Sequence, residues 1–265
     1  MRRVNFLTEI GGLYSLSIFF LFFLCLYSSL EVISLRRLRV VRILLAGGKG
    51  PEARLPSHLP YDRQLKAAPI VTICGSFLLL LPSGPFMTIG IATIVFVGNI
   101  LMFNGMRFGQ EGSDHVRLYA AAFYFISSVW NIVEPAQSQR IYLILVAALA
   151  VSFYFGSALV KIVEPSWWSG EALMRALSTN LYGHSLLLTL FSNFPRFTRQ
   201  LSVALLIWEI TFPVAILFAG NYVLAWMAVG LLFHLSVTFF MRLPLFLLSI
   251  GIMYPAIYWT SLSLY

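Results

Sequence analysis

Residues 13–35, LYSLSIFFLFFLCLYSSLEVISL, form a 23-residue run that carries one charge, Glu31. At about 1.5 Å per residue, a helix of this length crosses the roughly 30 Å hydrocarbon core of a bilayer. Within that core the backbone must satisfy its own hydrogen bonds, which leaves a helix or a closed barrel as the only spanning forms. The run lacks the small-residue cleavage site of a removable signal, so it is expected to be the first retained span. Comparable apolar runs follow at 65–81, 85–103, 118–133, 141–162, 201–219, 222–240 and 243–262. The expected fold is therefore an all-α integral membrane protein, a polytopic bundle of about eight transmembrane helices with interfacial or re-entrant helices. It is expected to form a single membrane domain over 1–265, with no soluble domain left over. Composition agrees, since 59% of residues are hydrophobic and 11% charged, well outside the range of soluble domains.

The segments between the runs are polar in different ways. From Leu35, LRRLRVVRILLAGG alternates basic and aliphatic residues at helical spacing, which predicts a helix on the membrane surface with Arg36, Arg37, Arg39 and Arg42 at the headgroups. GGKGPEARLPSHLPYD then reads as a loop, so 36–66 is expected to be a basic surface helix and loop. Pro82-Ser83-Gly84-Pro85 marks a tight turn. The insert 104–119 contains Gly109 and Gly112 and is expected to be a turn. The segment 171–190 is too polar for a simple span and is expected to be one interfacial or re-entrant helix, ended by the basic loop 194–200.

The net charge of +8 raises the question of a nucleic-acid partner, but ten of the 18 basic residues lie in the first 66 positions beside apolar spans. Anionic lipid is the simpler partner, and no nucleic acid is expected. Cys25 and Cys74 lie inside predicted spans, so there is no disulfide framework or CxxC motif. No dinucleotide fingerprint, P-loop, HExxH or nucleophile elbow occurs.

Charge and aromatic residues gather in YFGSALVKIVEPSWWSGEALMRALSTNLYGHSL, which starts at Tyr154. Lys161 lies near the end of the run that starts at Ile141. An ionisable residue inside a span is a functional candidate by default. The plainer reading is a lysine that snorkels to the headgroups above an aromatic belt of Trp167 and Trp168. Glu164, three residues on, can pair with Lys161 if the helix continues that far. Glu171, Arg175 and His184 read as the solvated face of an interfacial helix. Glu209 in LLIWEITFPV and His234 in LLFHLSVTFF are mid-span, where they either line a polar pocket or bond helix to helix.

The pattern Tyr-Phe, small residues, Lys161, an acidic spacer, Trp167 and Gly170 resembles the active-site lysine segment of vitamin K-dependent gamma-glutamyl carboxylases. These belong to the horizontally transferred transmembrane (HTTM) family, which also includes small bacterial proteins of the sporulation-delaying-toxin maturation type. The resemblance covers about residues 100–255, and the chain is similar in size to the small bacterial members. Asp114-His115 is similar to the Asn-His that opens the corresponding helix, with Asp114 as the departure. Phe233-His234 and Ser249 to Met253 resemble two further elements. In the carboxylases, a reduced vitamin K is deprotonated and reacts with oxygen to give a strong base that takes a glutamate γ-proton, after which CO2 adds.

The resemblance implies Lys161 and His115 as catalytic residues and Trp167 and His234 as cofactor-binding residues, and the mid-span Glu209 is expected to bind the cofactor with them. It implies vitamin K hydroquinone or another quinol as cofactor, with oxygen and CO2, and no metal. The partners implied are the lipid bilayer, a peptide or small substrate, and a small partner subunit, in a multi-pass protein of a bacterial cell membrane. The alternative is a non-catalytic maturation or export factor for a secreted toxin-like peptide. A quinone-linked redox subunit fits less well because no CxxC or haem-ligating histidine pair is present, and a transporter because no inverted repeat is seen. The side of the membrane that holds Lys161 stays open, because the positive-inside rule and the carboxylase resemblance imply opposite faces.

Overall fold

A computed structural model describes residues 2–35, 60–105, 111–179, 182–218 and 220–264. Among these residues there is no strand. The helices are α1 (Arg2–Leu35), α2 (Pro60–Leu78), α3 (Pro85–Gly105), α4 (Gly112–Val133), α5 (Pro135–Val163), α6 (Pro165–Ser169), α7 (Glu171–Ser178), α8 (Ser185–Asn193), α9 (Pro195–Phe218), α10 (Val223–Met241) and α11 (Pro244–Ser263). Among the described residues, seven helices are long and apolar enough to cross a membrane, from Ile10–Ser34 in α1 to Pro244–Ser263.

The expected second span is the missing eighth. Within the 19-residue α2, the apolar stretch among the described residues is Ala67–Leu78, about 18 Å at the helical rise and short of the hydrocarbon thickness. The chain tightens there, with Leu80 N–H bonded to the Phe77 carbonyl at 3.2 Å and Leu81 N–H to Leu78 at 3.1 Å. Pro82 then prevents a return to helix.

Three other boundaries move. The fourth span begins at Gly112, inside the expected insert, because Glu111 and Asp114 cap it: the Glu111 backbone N–H donates to Asp114 Oδ2 at 3.1 Å. The expected loop at 194–200 is the first turn of α9, since proline at a helix start costs no hydrogen bond. The expected helix 171–190 is two short ones, with the His184 side chain accepting from Leu187 N–H at 3.4 Å to cap the second. Residues 36–59 of the expected surface helix and loop lie outside the described residues, as do 106–110 of the insert.

The chain divides into two compact units, Met1–Leu145 and Val146–Tyr265, and α5 runs through the boundary. In the first unit, α1 packs on α2 and α4, α2 on α3, and α3 on α4. Small residues set the spacing: a Cβ on Gly98 would lie 2.7 Å from Thr72 Oγ1, the close backbone approach that substitutes for hydrophobic driving force within lipid. Polar groups bond across this interior. Ser17 and Tyr142 hydroxyls meet at 3.1 Å, and Asn99 Nδ2 reaches Cys25 Sγ at 3.5 Å.

In the second unit, α9 is central and contacts α6, α7, α8, α10 and α11. The Trp167-Trp168-Ser169-Gly170 turn is tied to it by Ser202 Oγ donating to the Trp167 carbonyl at 2.6 Å and Arg199 Nε to the Trp168 carbonyl at 3.1 Å. Gly170 has φ +85°, and a Cβ there would sit 3.0 Å from the Arg199 backbone, so only glycine allows both the turn and the contact.

Candidate functional site

The lysine at the end of α5 turns inward. Lys161 Nζ donates to Glu209 Oε1 of α9 at 2.5 Å and lies 4.7 Å from the centroid of the Trp167 ring, a cation–π contact. Its side chain is 18% exposed and that of Glu209 is 6% exposed. Snorkelling therefore does not describe this lysine, whose charge is met inside the bundle by a carboxylate. Glu164 is not its partner. α5 stops at Val163, and Glu164 instead caps α6, accepting from Ser166 N–H at 3.4 Å.

A second polar pair adjoins the first. Tyr154 lies seven residues before Lys161, two turns back on the same face of α5, and its hydroxyl meets His234 Nε2 of α10 at 3.2 Å. The two pairs meet through α9, where Trp208 and Phe212 flank Glu209 and both touch the Tyr154 ring. Tyr254 of α11 lies beside Tyr154. The Tyr154 ring stacks on Phe212 at 4.1 Å and meets Trp208 edge-on at 5.1 Å. Trp208 is held by donating Nε1–H to the Trp226 carbonyl at 3.1 Å.

Among the buried atoms of this cluster without a protein partner are Glu209 Oε2 and His234 Nδ1. The backbone is open at the same place. Pro213 lies within α9, and a proline has no N–H for the carbonyl four residues earlier, which is that of Glu209. The glutamate thus presents a free carboxylate oxygen and a carbonyl released from the helical ladder.

Of the five candidate residues, Lys161, Trp167, Glu209 and His234 all belong to the second unit and gather in this cluster. His115 belongs to the first unit. Its Nδ1 lies 3.1 Å from the Glu111 carbonyl, which only accepts, so Nδ1 carries the hydrogen and a neutral ring keeps its lone pair on Nε2. Phe103 packs edge-on against it at 5.0 Å. Asp114 does not pair with His115. Its Oδ1 accepts from Arg117 Nη2 at 3.1 Å. Arg117 is fully buried, and its Nη1 donates to Ser28 Oγ and, at 3.7 Å, to Met102 Sδ. Arg175 and Glu171 form an exposed pair at 2.7 Å, as expected of a solvated face.

The sequence reading missed Tyr154, Trp208 and Tyr254 as members of the site. The seven-residue interval from Tyr154 to Lys161 and the four-residue interval from Glu209 to Pro213 are the signals that point to them and to the opened backbone.

Fold and site together define an all-α, polytopic membrane protein with a part-buried lysine–glutamate pair and an adjoining buried tyrosine–histidine pair in its second unit. No family model, curated protein or solved structure matches the chain.

Proposed function

We propose that the chain is a membrane-embedded enzyme of the carboxylase-like, HTTM kind, modifying a peptide or small substrate with Lys161 as the proton-accepting base. The observation that carries this reading is Lys161 itself, drawn into the bundle to Glu209 and Trp167 rather than out to the headgroups. A lysine held this way loses the hydration that a surface lysine keeps, and such cost concentrates at functional sites.

The residues fit a flat, hydroxyl-bearing ring of the quinol type. Glu209 Oε2 and His234 Nδ1 are buried atoms without a protein partner, and Trp167 supplies an aromatic ring beside Lys161. Trp167 would hold the ring and Glu209 and His234 its polar groups. A bound quinol would supply, with oxygen, the oxidative energy for removing a poorly acidic proton. Lys161 takes a proton at Nζ, Glu209 orients that nitrogen, and Tyr154 fixes the His234 ring. His115 is the second catalytic candidate, through the lone pair on Nε2.

The test is intact mass spectrometry of small peptides co-expressed with the chain. A mass gain of one CO2 that disappears in Lys161→Ala, with the variant still folded, is the expected result. Product that persists in Lys161→Ala sinks the reading. A non-catalytic maturation or export factor is the second reading, favoured by one observation: Glu209 already neutralises Lys161, so the pair can act as a clamp between α5 and α9. In that case peptide secretion depends on the chain without any mass change.

A further inference from the structure

The buried acids of the two units, Asp114 and Glu209, differ in how completely they are bonded. Asp114 has both oxygens occupied, Oδ1 by Arg117 and Oδ2 by the Glu111 N–H. Glu209 has one oxygen on Lys161 and the other, although buried, on no protein donor. A carboxylate retained only to hold two helices together is stabilised by filling all its lone pairs, because the burial penalty is otherwise unmet. The carbonyl of the same residue is also released, by Pro213. A base must also be reset after each turnover, and the nearest acceptor for the lysine's proton is 2.5 Å away.

We propose that Glu209 is a positioning residue that resets Lys161, receiving its proton after each catalytic cycle and releasing it to water from Oε2, the carboxylate oxygen that no protein donor holds. This rests on Lys161 as the base. The steps balance as proton transfers. The Lys161 nitrogen lone pair takes a proton from a bound hydroxyl group, whose O–H electron pair stays on oxygen. An N–H bond of the resulting ammonium then breaks toward Glu209, which leaves a neutral amine and a carboxylic acid. The acid passes its proton to water and the carboxylate is restored. The other titratable groups that bear on the pair are Tyr154 from α5, His234 from α10 and Tyr254 from α11. Tyr154 and His234 already bond each other, which leaves Glu209 as the carboxylate on Lys161.

The experiment uses the full chain in proteoliposomes and the Lys161-dependent peptide product, with Lys161→Ala as the control for the underlying reading. Glu209→Gln should lower turnover about 10²-fold, the lower range for loss of an acid–base group, and added azide should restore part of it by carrying the proton. Glu209→Asp should retain product with a displaced pH profile. Infrared spectra without substrate give a second readout: a pH-dependent carboxyl band that is absent in Glu209→Gln and displaced in Lys161→Met. A structural role would leave the Asp variant's pH profile unmoved and Glu209→Gln indifferent to azide. Those results, with Lys161→Ala inactive, overturn the relay and leave the base in place. Product that survives Lys161→Ala removes both. Where Glu209→Gln does not fold, the Asp profile and the infrared band decide, and an unmoved profile with no such band overturns the proposal.

Discussion

Breaking the Lys161–Glu209 pair from either end should have unequal costs, and the inequality follows from the burial of each partner. In Lys161→Met, the Glu209 carboxylate is left with neither oxygen on a donor and a side chain only 6% exposed. Removing one partner of a buried ion pair costs about 3–5 kcal/mol, and this case belongs at that level. In Glu209→Leu, the lysine keeps Trp167 at 4.7 Å and has an 18% exposed side chain two residues from the end of α5. It can swing its ammonium toward the headgroups, so the expected cost is smaller, about 1–3 kcal/mol. The double variant removes the desolvation penalty together with the attraction and should fall within about 1 kcal/mol of the parent. The check is reversible denaturation in mixed micelles for all four proteins, analysed as a double-mutant cycle. A coupling energy of about 3 kcal/mol or more between contacting charges is the expected outcome. If Lys161→Met stays within about 0.5 kcal/mol, the range of an ordinary surface change, the lysine is not closed into the bundle and the burial argument fails.

Two further outcomes are expected. Gly230→Ala would place a Cβ 2.1 Å from Tyr254 Oη and 2.6 Å from the Trp208 ring, so overpacking should cost about 1–3 kcal/mol; Tyr254→Phe in the same chain should recover part of the loss, and no recovery in thermal unfolding would show that the tyrosine hydroxyl is not the obstacle. In the first unit, Arg117→Met should lower stability by about 3–5 kcal/mol by stranding Asp114. Arg117→Lys should fail to restore it, because Nη1 and Nη2 serve different partners; full rescue by lysine would refute the forked geometry.

How much of this was legible depends on the range over which the signal acts. Apolar runs mark spans because the bilayer imposes a length, and seven of the expected eight spans are helices of that length. The shortfall at α2 is local too: Pro82 cuts the run, and the polar residues at 60–66 cannot lengthen its apolar part. The pairing of Lys161 was harder to read. Glu164 was the near candidate on helical spacing, yet the helix stops at Val163 and the partner is 48 residues away on α9. Which face of α9 meets α5 is set by tertiary packing, including the glycine turn at 170 and the tether from Ser202 to Trp167, and no short interval in the sequence encodes it.

What distinguishes the site from structural polarity is therefore how completely each buried acid is bonded, rather than its presence in a span. Asp114 and Glu209 both sit in apolar helices and both face a basic side chain. Asp114 is closed by a cap N–H and an arginine, so it serves the start of α4 and the hold on α1 through Ser28. Glu209 is closed on one side, at the lysine, and open on the other, beside a carbonyl that Pro213 has released from the ladder. A bilayer penalises every unbonded polar atom, so an acid left half-bonded in this way is best explained by a partner that arrives during function. On that argument the WEITFP segment, read with the lysine it neutralises, carries more functional information than the lysine motif alone.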